Sequence, residues 1–473
     1  MRAVLPLTAD SDATREEIGG KAHGLLELLR LGLPVPPGFV IGTATARVYP
    51  AGGTRALISH QIAALEGATG RRFDGAEPLA VSVRSGAAVS MPGMLTTVLG
   101  VGVPAEAAGW RRRLAAGLGM SEMDIPAAPV EQLDLAVRTV LASWRAPRAV
   151  TYRTLHGIPD DPGTAVVVQV LVFGDRDEHS ASGVALSRNP HTGAPGPYGE
   201  VLLGAPGEDL VSGRVSVRPL ADLATVAPTA AADLAAALRR VEAHRGEVCE
   251  VEFTVEAGRL WLLQLRTAVL AGRAAIRAAV DLADEGVIDR PTALLRITAA
   301  DLRAAATPRL AAGADVLAAG LGACPGIAAG RLATTSTAAV SMAASGPVIL
   351  ARPQTSPLDL AGIAAAAGLV TARGGATSHA AVVARSLGRP AVVGAAGLDV
   401  ADGALLVGGR ALDEGTVLTV DGAAGLVVLG DWPVETGTAD EQLDRLLGWA
   451  DEVSGGAVGS AEARLAAAHA VLG

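Results

Sequence analysis

The sequence has little of what marks secreted, membrane or nucleic-acid-binding proteins. It contains two cysteines, Cys249 and Cys324, which form no metal-binding or redox motif. No apolar run is long enough to cross a bilayer, and the first residues lack a signal-peptide pattern. The net charge is −9 and no basic block stands out, which argues against nucleic acid as the main partner. We therefore expect a cytoplasmic protein in a reduced setting, with no membrane or nucleic-acid partner.

Lysine is almost absent from the chain. Of the 39 lysine and arginine residues, Lys21 is the single lysine. It directly follows Gly19 and Gly20, at the start of a predicted helix that ends at Gly32. One interpretation is that a compact ammonium is needed here, because the planar fork of arginine cannot replace it. The alternatives are that chance left one lysine, or that Lys21 is a solvated residue of the first helical turn.

A single histidine lies in an unusual turn within TARGGATSHAAVVARSLGRPAVVG, residues 371–394. Thr377 or Ser378 can cap a short helix that begins at His379 and runs to Leu387, where a glycine closes it. The first turn of a helix favours anions and disfavours imidazolium, so we expect the ring to stay neutral and nucleophilic. The site suits a histidine that accepts a phosphoryl group. The alternative is an exposed histidine without a role.

Two further stretches have features of a nucleotide site. Residues 79–100, LAVSVRSGAAVSMPGMLTTVLG, predict a strand, then Arg84 and a loop of small and hydroxyl residues. Such a loop can cradle phosphates through backbone N–H groups, although it lacks the ending of a Walker loop. Its candidate nucleotide-binding residues are Gly86, Ser90, Gly93 and Thr96. A strand at 164–174, TAVVVQVLVFG, carries Gln169 and either flanks an adenine pocket or simply belongs to the core.

Residues 248–267, VCEVEFTVEAGRLWLLQLRT, predict a β-hairpin with a polar face. Glu250 and Glu252 share one face of the first strand, and Gln264 and Arg266 share one face of the second. A two-residue turn would separate these faces, whereas a three-residue turn pairs Glu250 with Gln264 and gathers all four groups. We expect the three-residue turn. The two glutamates and the glutamine then offer a Mg²⁺ site, with the arginine beside a phosphate; the alternative is a solvated sheet face.

The second half of the chain changes character twice. Residues 268–310 are rich in alanine and arginine and predict helices that connect domains. Residues 320–430 are β-rich with many glycines, and they contain His379. Residues 433–473 again predict alanine-rich helix. We expect the glycine-rich part to form a compact domain of its own.

Six stretches, in order along the chain, resemble the pyruvate phosphate dikinases within the family of phosphoenolpyruvate-utilising enzymes. They are GGKAHGLLELLRLGLPVPPGF, SVRSGAAVSMPGM, VFGDRDEHSASGVALSRNPHTG, EFTVEAGRLWLLQLR, RPQTSPLDL and GGATSHAAVVARSLGRPAVVG, and the resemblance runs from about residue 16 to about residue 453. It implies an α/β multidomain protein. Its expected parts are an ATP-grasp nucleotide-binding domain at 1–290 with lobes at about 1–150 and 151–290, a helical linker or hinge at 291–318, a swivelling β/β/α phosphohistidine domain at 319–432 and a helical tail at 433–473.

The resemblance also implies a chemistry. ATP gives its terminal two phosphates to a histidine and AMP is released; inorganic phosphate then removes one of them as pyrophosphate. The histidine domain finally swings to a barrel, where pyruvate takes the remaining phosphoryl group. By motif match the catalytic residues would be Lys21, Arg84, Arg266 and the carrier His379. Glu250, Glu252 and Gln264 would hold Mg²⁺, and Thr377 occupies the place at which the plant enzymes are phosphorylated.

The sequence departs from the family pattern in four places. Glu250 stands where the family has aspartate, Gly204 and Pro206 replace asparagine and glutamine, and the nucleotide half is shorter between about 100 and 140. Residues 433–473 are too few for a barrel, so we expect the acceptor on a separately encoded partner. The predicted function is an ATP-dependent histidine autokinase and phosphotransferase. The alternatives are a water-using dikinase-like enzyme with another small-molecule acceptor, and a non-catalytic nucleotide-binding protein.

Overall fold

The computed structural model describes residues 4–49, 54–75, 78–89, 91, 94–104, 107–155, 157–160, 163–190, 192–206, 218–270, 272–306, 308–311, 313–375, 378–401, 403–407, 409–435, 441–456 and 458–473. These residues divide into two compact units. The first unit comprises residues 1–190 and 194–269, and the second comprises 191–193 and 270–473. None of the helices in the described part of the chain has both the length and the apolar character needed to span a membrane.

The first unit begins with a five-stranded antiparallel sheet in the order β1-β2-β5-β3-β4. Alternate residues of the central strand β5 belong to different cores: Val167 packs with one hydrophobic cluster, and Val166 and Val168 pack with the other. The sheet therefore separates two cores, one on each face. Its elements are β1 (Val4–Pro6), α1 (Arg15–Arg30), β2 (Gly38–Ile41), α2 (Thr43–Arg47), α3 (Thr54–Thr69), β3 (Val81–Gly86), β4 (Thr97–Val101), α4 (Ala108–Leu118), α5 (Pro129–Ala142), α6 (Pro147–Leu155) and β5 (Ala165–Val170).

A second antiparallel sheet in the same unit has the order β10-β9-β6-β7-β8. One continuous hydrophobic cluster joins it to α1 and to the long helix α8. The strand predicted at 164–174 is present as β5 in the first sheet, and the next strand along the chain, β6, belongs to this second sheet. The elements are β6 (Ala181–Arg188), β7 (Pro195–Leu203), β8 (Arg218–Pro219), α7 (Leu223–Val226), α8 (Pro228–Arg245), β9 (Cys249–Glu256) and β10 (Arg259–Thr267).

The turn of the β9–β10 hairpin corrects the predicted register. Glu256 pairs with Arg259, so the turn has two residues and the expected three-residue turn is wrong. Ala257 and Gly258 both have positive φ angles, 50° and 78°, as type I′ hairpin turns require. A β-bulge at Leu263 then adds one residue to β10 and shifts the pairing. The predicted polar face is nevertheless formed: Gln264 pairs with Glu252, and Arg266 pairs with Glu250.

The second unit contains a helical bundle built from two separate parts of the chain. Its buried core includes Ile276, Leu294, Leu302, Leu446 and Leu465. Because α9 packs in this bundle, the chain passes from the first unit to the second at 269/270. The helices are α9 (Arg273–Asp284), α10 (Arg290–Arg296), α11 (Ala299–Ala305), α15 (Glu441–Ser454) and α16 (Ala461–Leu472).

The chain between α11 and α15 forms three layers. Helices pack on one face of an eight-stranded sheet of order β12-β22-β21-β14-β15-β16-β17-β13, and the three-stranded sheet β18-β19-β20 covers the other. The elements are β12 (Val316–Ala319), β13 (Leu321–Cys324), β14 (Ile327–Ala333), α12 (Ser336–Ala343), β15 (Val348–Arg352), α13 (Leu360–Ala365), β16 (Gly368–Thr371), α14 (His379–Leu387), β17 (Ala391–Val393), β18 (Leu398–Ala401), β19 (Ala404–Val407), β20 (Arg410–Asp413), β21 (Val417–Asp421) and β22 (Leu426–Leu429).

A short two-stranded ribbon joins this layered domain to the bundle. The strands β11 (Arg309–Leu310) and β23 (Val434–Glu435) pair antiparallel, one on the way into the domain and one on the way out. Within the expected linker at 291–318, α10 and α11 belong to the bundle and β12 belongs to the large sheet. The chain between bundle and layered domain is therefore shorter than the sequence suggests and is double-stranded.

The hairpin turn yields a stability prediction. Ala257 occupies a left-handed conformation, which costs an ordinary L-residue about 1 kcal/mol and which asparagine tolerates. Ala257→Asn should therefore raise the free energy of unfolding by about that amount, measured by thermal or urea unfolding. Ala257→Val is the matched control and should destabilise. Equal effects of the two substitutions would show that the positive φ angle does not limit stability.

Candidate functional site

The first unit contains a cavity of about 1740 Å³. Its walls come from the start of α1, from β3, β5 and β6, and from the β9–β10 hairpin. The volume exceeds the roughly 300–1,000 Å³ of ordinary small-molecule sites. Its apolar lining includes Met91, Leu99, Trp110 and Leu171, and its polar lining includes Lys21, Arg84, Gln169, Glu250, Glu252, Gln264 and Arg266. The residues that the sequence singled out from three distant stretches thus line one space.

Lys21 reaches the cavity because α1 is interrupted. The helix begins at Arg15, earlier than predicted, and Gly19 breaks its helical conformation with φ 75° and ψ 162°. A Cβ atom on Gly19 would lie 1.7 Å from the carbonyl oxygen of Gly86, so only glycine fits. The backbone N–H of Gly20 donates to the carbonyl of Ala87 at 2.9 Å. These contacts fix the following residue, Lys21, against the end of β3.

Arg84 connects the two sheets of the first unit. It lies within β3, not after it as the sequence suggested, and so does Gly86. Its Nη2 donates to Glu252 Oε2 at 2.8 Å and to Gln264 Oε1 at 3.3 Å. Its Nη1 donates to the carbonyl of Leu263 at 2.7 Å. Because Leu263 is the extra residue of the bulge, its carbonyl is available to a side chain.

The remaining polar groups complete a charged cluster. Arg266 Nε donates to Glu250 Oε1 at 2.7 Å, across the pair of strands. The pKa of Lys21 is lowered to about 7, mainly by burial; the guanidiniums of Arg84 and Arg266 also lower it, and Glu252 opposes them. Burial alone would raise the pKa of Glu252, but the same cations hold it below its usual value. Glu252 is therefore ionised at neutral pH, whereas Lys21 exchanges its proton near pH 7.

The oxygen atoms of this cluster fit a divalent cation. Glu252 Oε2 and Gln264 Oε1 converge on one nitrogen of Arg84, and Glu250 is adjacent on the same strand face. Mg²⁺ prefers such oxygen ligands and usually takes one or two carboxylates together with phosphate oxygens. No cluster of three or more histidine, cysteine, aspartate or glutamate residues occurs in the described parts of the chain, so the cation would depend on the amide and on a ligand.

Other predicted site residues vary in their placement. Gly86 and Gln169 line the cavity; Gln169 is buried and its Nε2 donates to the carbonyl of Pro36 at 3.0 Å. Thr96 does not line it: its backbone N–H donates to Ser143 Oγ at 3.1 Å, and the next residue, Thr97, faces the cavity instead. The predictions for Ser90, Gly93 and Thr377 lie outside the described residues.

A second charged group on the cavity wall is not among the site residues predicted from the sequence. Arg245 Nε donates to Glu27 Oε2 at 2.7 Å, and His23 Nδ1 lies 3.1 Å from Glu27 Oε1. All three residues line the cavity. The spacing of His23 and Glu27, one turn apart on the helix after Lys21, could have indicated them. No sequence signal points to Arg245, which comes from the end of α8.

His379 lies in the second unit, in a pocket of about 250 Å³. The predicted helix is confirmed: α14 runs from His379 to Leu387, Ser378 Oγ accepts from the N–H of Ala381, and Gly388 ends it in a left-handed conformation. Thr355 Oγ1 lies 3.0 Å from His379 Nδ1. Since this contact occupies Nδ1, the other ring nitrogen, Nε2, is the one left to react.

A buried carboxylate holds the segment that carries Thr355. Asp359 Oδ2 accepts from the backbone N–H of Ser356 at 2.8 Å, and Asp359 Oδ1 accepts from Ser336 Oγ at 2.8 Å. Burial alone would raise the pKa of Asp359, but these hydrogen bonds and Arg352 hold it below its usual value. Thr355 lies in the family-like stretch RPQTSPLDL, but no role for it was predicted from the sequence. Strands β15 and β16 are parallel neighbours, and this register places the two segments that follow them side by side.

Comparisons with known proteins agree with this division of sites. Residues 54–221 match the family model "Pyruvate phosphate dikinase, AMP/ATP-binding domain". Residues 344–425 match "PEP-utilising enzyme, mobile domain". Arg84 lies in the first match and His379 in the second, whereas Lys21 and the β9–β10 hairpin lie outside both. Their assignment to the same cavity as Arg84 rests on the geometry.

Curated relatives match nearly the whole chain. Pyruvate, phosphate dikinase of Rhizobium meliloti (strain 1021) is 36% identical over 523 residues, covering 92% of this chain and 58% of that protein. Pyruvate, phosphate dikinase 2 of Oryza sativa subsp. japonica is 36% identical, covering 94% and 59%. The enzyme of Clostridium symbiosum is 34% identical, covering 93% and 59%. The chain thus spans somewhat less than three fifths of the length of these relatives.

The matches to solved structures are remote. D-cycloserine synthetase DcsG aligns with a TM-score of 0.27 and 14% identity, over 54% of this chain and 63% of that chain, which is too low to bear on fold or function.

The two domain matches define a phosphoenolpyruvate-utilising enzyme with a nucleotide-binding domain and a mobile phosphohistidine domain. Within that class, the chain belongs to the pyruvate phosphate dikinase family of phosphotransferases. The predicted fold class, an α/β protein with an ATP-grasp domain and a swivelling β/β/α domain, is confirmed.

The single lysine permits a direct test of the cavity. Because the pKa of Lys21 is lowered to about 7, an amine-reactive reagent should label it with a midpoint near pH 7 rather than near the usual value of about 10.4. ATP phosphates favour the ammonium and should raise this pKa, so ATP should suppress labelling at pH 8. Peptide mass spectrometry reads the modification, and Lys21→Arg is the control, which leaves only the N-terminal amine. A midpoint near pH 10 without ATP protection would place Lys21 in solvent.

The contact of Thr355 with His379 predicts a change of tautomer. Thr355→Val keeps the side-chain shape but removes the hydroxyl group that holds Nδ1. We expect the imidazole to populate both tautomers and its phosphorylation to slow by about five- to tenfold. Nitrogen-15 NMR of the histidine ring reports the tautomer, and Thr355→Ser should behave like the wild type. Unchanged ring shifts in the valine variant would show that the hydroxyl does not select the tautomer.

Proposed function

We propose that this chain is an ATP-dependent phosphotransferase that phosphorylates its own His379, releases AMP and passes the phosphoryl group to an acceptor. One observation carries the proposal: Lys21, Arg84 and Arg266 line one cavity together with Glu250 and Glu252. Three cations beside two carboxylates suit a polyphosphate chain with its bound cation. A neutral metabolite would make no use of the positive charge that remains after Arg84 and Arg266 pair with the two carboxylates.

The cavity offers separate surfaces for the two ends of ATP. We assign the phosphates to Lys21, Arg84 and Arg266, and the base to the apolar lining near Gln169. The backbone at Gly86 is held close to α1 by Gly19, which leaves the end of β3 narrow enough for a phosphate to contact both elements. The proposed roles of Ser90 and Gly93 remain part of this assignment, since both residues follow Gly86 closely in the sequence.

Mg²⁺ bound to Glu250, Glu252 and Gln264 would neutralise phosphate charge and orient the polyphosphate. The protein side chains prepare this site. Arg84 keeps Glu252 ionised and in place, and Arg266 holds Glu250 through a hydrogen bond. When phosphates attract the two guanidiniums, the oxygen atoms that these had occupied become available to the cation. Glutamate at position 250, longer than the aspartate of the family, pairs with Arg266 across the strands.

The proposed reaction has two steps in which bonds balance. His379 Nε2 attacks the β-phosphorus of ATP; the new N–P bond forms as the bond between the β-phosphorus and the α,β-bridging oxygen breaks, and AMP leaves. Inorganic phosphate then attacks the terminal phosphorus of the pyrophosphoryl group, and the bond between that phosphorus and the bridging oxygen breaks. Pyrophosphate is released, and the β-phosphoryl group stays on the histidine. With Nδ1 held by Thr355, the lone pair of Nε2 is directed at the incoming phosphorus.

Transfer requires motion, because the cavity and His379 belong to different compact units. We propose that the layered domain turns about the ribbon formed by β11 and β23, at the end of the linker expected at 291–318. Two paired strands restrict such a turn more than one loose chain would. The carrier can then present its histidine reproducibly to the cavity and, later, to an acceptor.

The acceptor completes the proposal. We propose that it is pyruvate or a similar small molecule on a separately encoded partner. Two alternatives to this function predict different products from ATP. If water replaces inorganic phosphate, ATP should yield AMP and phosphate but no pyrophosphate. If the chain only binds nucleotide, ATP should bind in the cavity without any AMP.

The central prediction concerns His379. Incubated with Mg²⁺ and β-labelled ATP, the wild-type chain should acquire an acid-labile, base-stable label and release AMP. His379→Asn should lose the label completely while its affinity for ATP stays within about twofold, because the histidine lies outside the cavity lining. Phosphorus-31 NMR of the products, with and without inorganic phosphate and pyruvate, identifies the second and third acceptors.

His469 supplies the matched control. Its Nε2 lies 2.8 Å from the carbonyl of Leu294 in the helical bundle, far from any phosphoryl chemistry in sequence and surroundings. His469→Asn should keep full labelling. Persistent labelling of the His379 variant would falsify the assignment of the carrier.

A further inference from the structure

The pocket around His379 contains one cation and no carboxylate. Its lining is formed by Gln354, Thr355, Arg373, Gly374, Ser378, His379 and Ala380. Arg373 is exposed, while its backbone N–H donates to the carbonyl of Pro353 at 2.9 Å. That hydrogen bond joins the segments after β15 and β16, the same two segments that carry Thr355 and the turn before His379. The backbone of Arg373 is thus held beside the two segments that carry the reactive ring.

Arg373 differs from every other arginine of residues 319–432. The other five each contact an acceptor within the protein. Arg331 donates to Met342 O, Arg352 to Thr334 O, Arg385 to Ala323 O and Arg389 to Ala364 O, and Arg410 pairs with Asp315. For the Arg373 side chain, the described parts of the chain supply no such acceptor. A lone cation beside a nucleophile is an incomplete ion pair that an anion can complete.

Asp359, the buried carboxylate of the segment that carries Thr355, already has its own partners. Asp359 is buried, accepts hydrogen bonds from Ser336 and Ser356, and lies 3.2 Å from Arg352 Nε. It therefore cannot neutralise Arg373. Gln354 adds only a neutral amide to the pocket, so the positive charge of the pocket is uncompensated.

We propose that Arg373 is the phosphoryl-binding residue of the mobile domain, pairing with the oxygens of the phosphoryl group on His379 Nε2. The proposal rests on the proposed function, because it needs phosphohistidine to form. The planar guanidinium donates two parallel hydrogen bonds to two phosphoryl oxygens, which a lysine ammonium cannot do. The domain thereby carries its own counter-ion when it leaves the nucleotide cavity.

This pairing has two physical consequences. It stabilises the dianion of the phosphoryl group and so lowers the second pKa of that group. It also slows the loss of the group to water. Cleavage of the P–N bond passes through a loose transition state driven by electron density from the phosphoryl oxygens, and a guanidinium that withdraws this density opposes cleavage.

The test loads His379 without ATP. Phosphoramidate transfers its phosphoryl group to an imidazole nitrogen and releases ammonia, so loading does not depend on the nucleotide cavity. The phosphorus-31 resonance absent from His379→Asn identifies the relevant histidine. Its chemical shift is titrated, and its decay is followed, in the wild type, Arg373→Gln and Arg373→Lys. Arg385→Gln, an exposed arginine of the same helix as His379 and outside the pocket lining, is the matched control.

In Arg373→Gln the phosphoryl pKa should rise by about one unit and the phosphohistidine should decay about tenfold faster. Arg373→Lys should give a phosphoryl pKa and a decay rate between those of the wild type and Arg373→Gln. Arg385→Gln should match the wild type in both. Melting temperatures should agree among the variants because the Arg373 side chain is exposed. Identical titration and decay in Arg373→Gln and the wild type would overturn the proposal. If the phosphoryl pKa and the decay rate change as expected but ATP does not label His379, the proposed function is contradicted and the role of Arg373 is not.

Discussion

The nucleotide cavity depends on the hydrogen bonds that the Arg84 side chain makes. Its guanidinium crosses from the first sheet to the hairpin of the second and makes three hydrogen bonds there, to Glu252, Gln264 and the carbonyl of Leu263. A buried carboxylate without this partner would protonate or rearrange. The same bonds keep Glu252 ionised and ready for a cation. Architecture and electrostatics of the site are therefore set by one side chain, and the bulge at Leu263 is what allows it to bond in this way.

The hairpin shows how far local sequence rules reach. Alternation correctly predicts that Glu250 and Glu252 share a face, because side-chain direction in a strand follows from the backbone. The predicted three-residue turn was wrong because alanine rarely indicates a left-handed backbone conformation. Ala257 adopts this conformation nonetheless. The bulge at Leu263 shifts the pairing so that the four polar residues lie together, yet no residue type in the neighbouring sequence indicates a bulge. The helix at His379 was predictable because its cap residues lie within its own ends.

Contacts between distant segments could not be predicted in this way. Thr355 meets His379 only because β15 and β16 are parallel neighbours with Arg352 opposite Thr371. The pairing of Glu27 with Arg245 likewise depends on how α8 packs beside α1. Such contacts follow from sheet order and helix packing, which a single sequence does not specify. Composition nevertheless carried real information, since the one lysine of the chain lines the cavity.

The two pockets differ in how their positive charge responds to a ligand. The cavity lining contains five cationic residues, Arg15, Lys21, Arg84, Arg245 and Arg266, against four carboxylates, Glu27, Glu247, Glu250 and Glu252. Since the pKa of Lys21 is about 7, the single excess charge is itself variable: a triphosphate holds the ammonium protonated more firmly than AMP does. In the pocket of His379 the cation is Arg373, and a guanidinium keeps its charge throughout the physiological pH range. In the proposed reaction, loss of phosphoryl groups from the nucleotide would let Lys21 release its proton and so weaken the hold on AMP, whereas Arg373 would stay beside the transferred group.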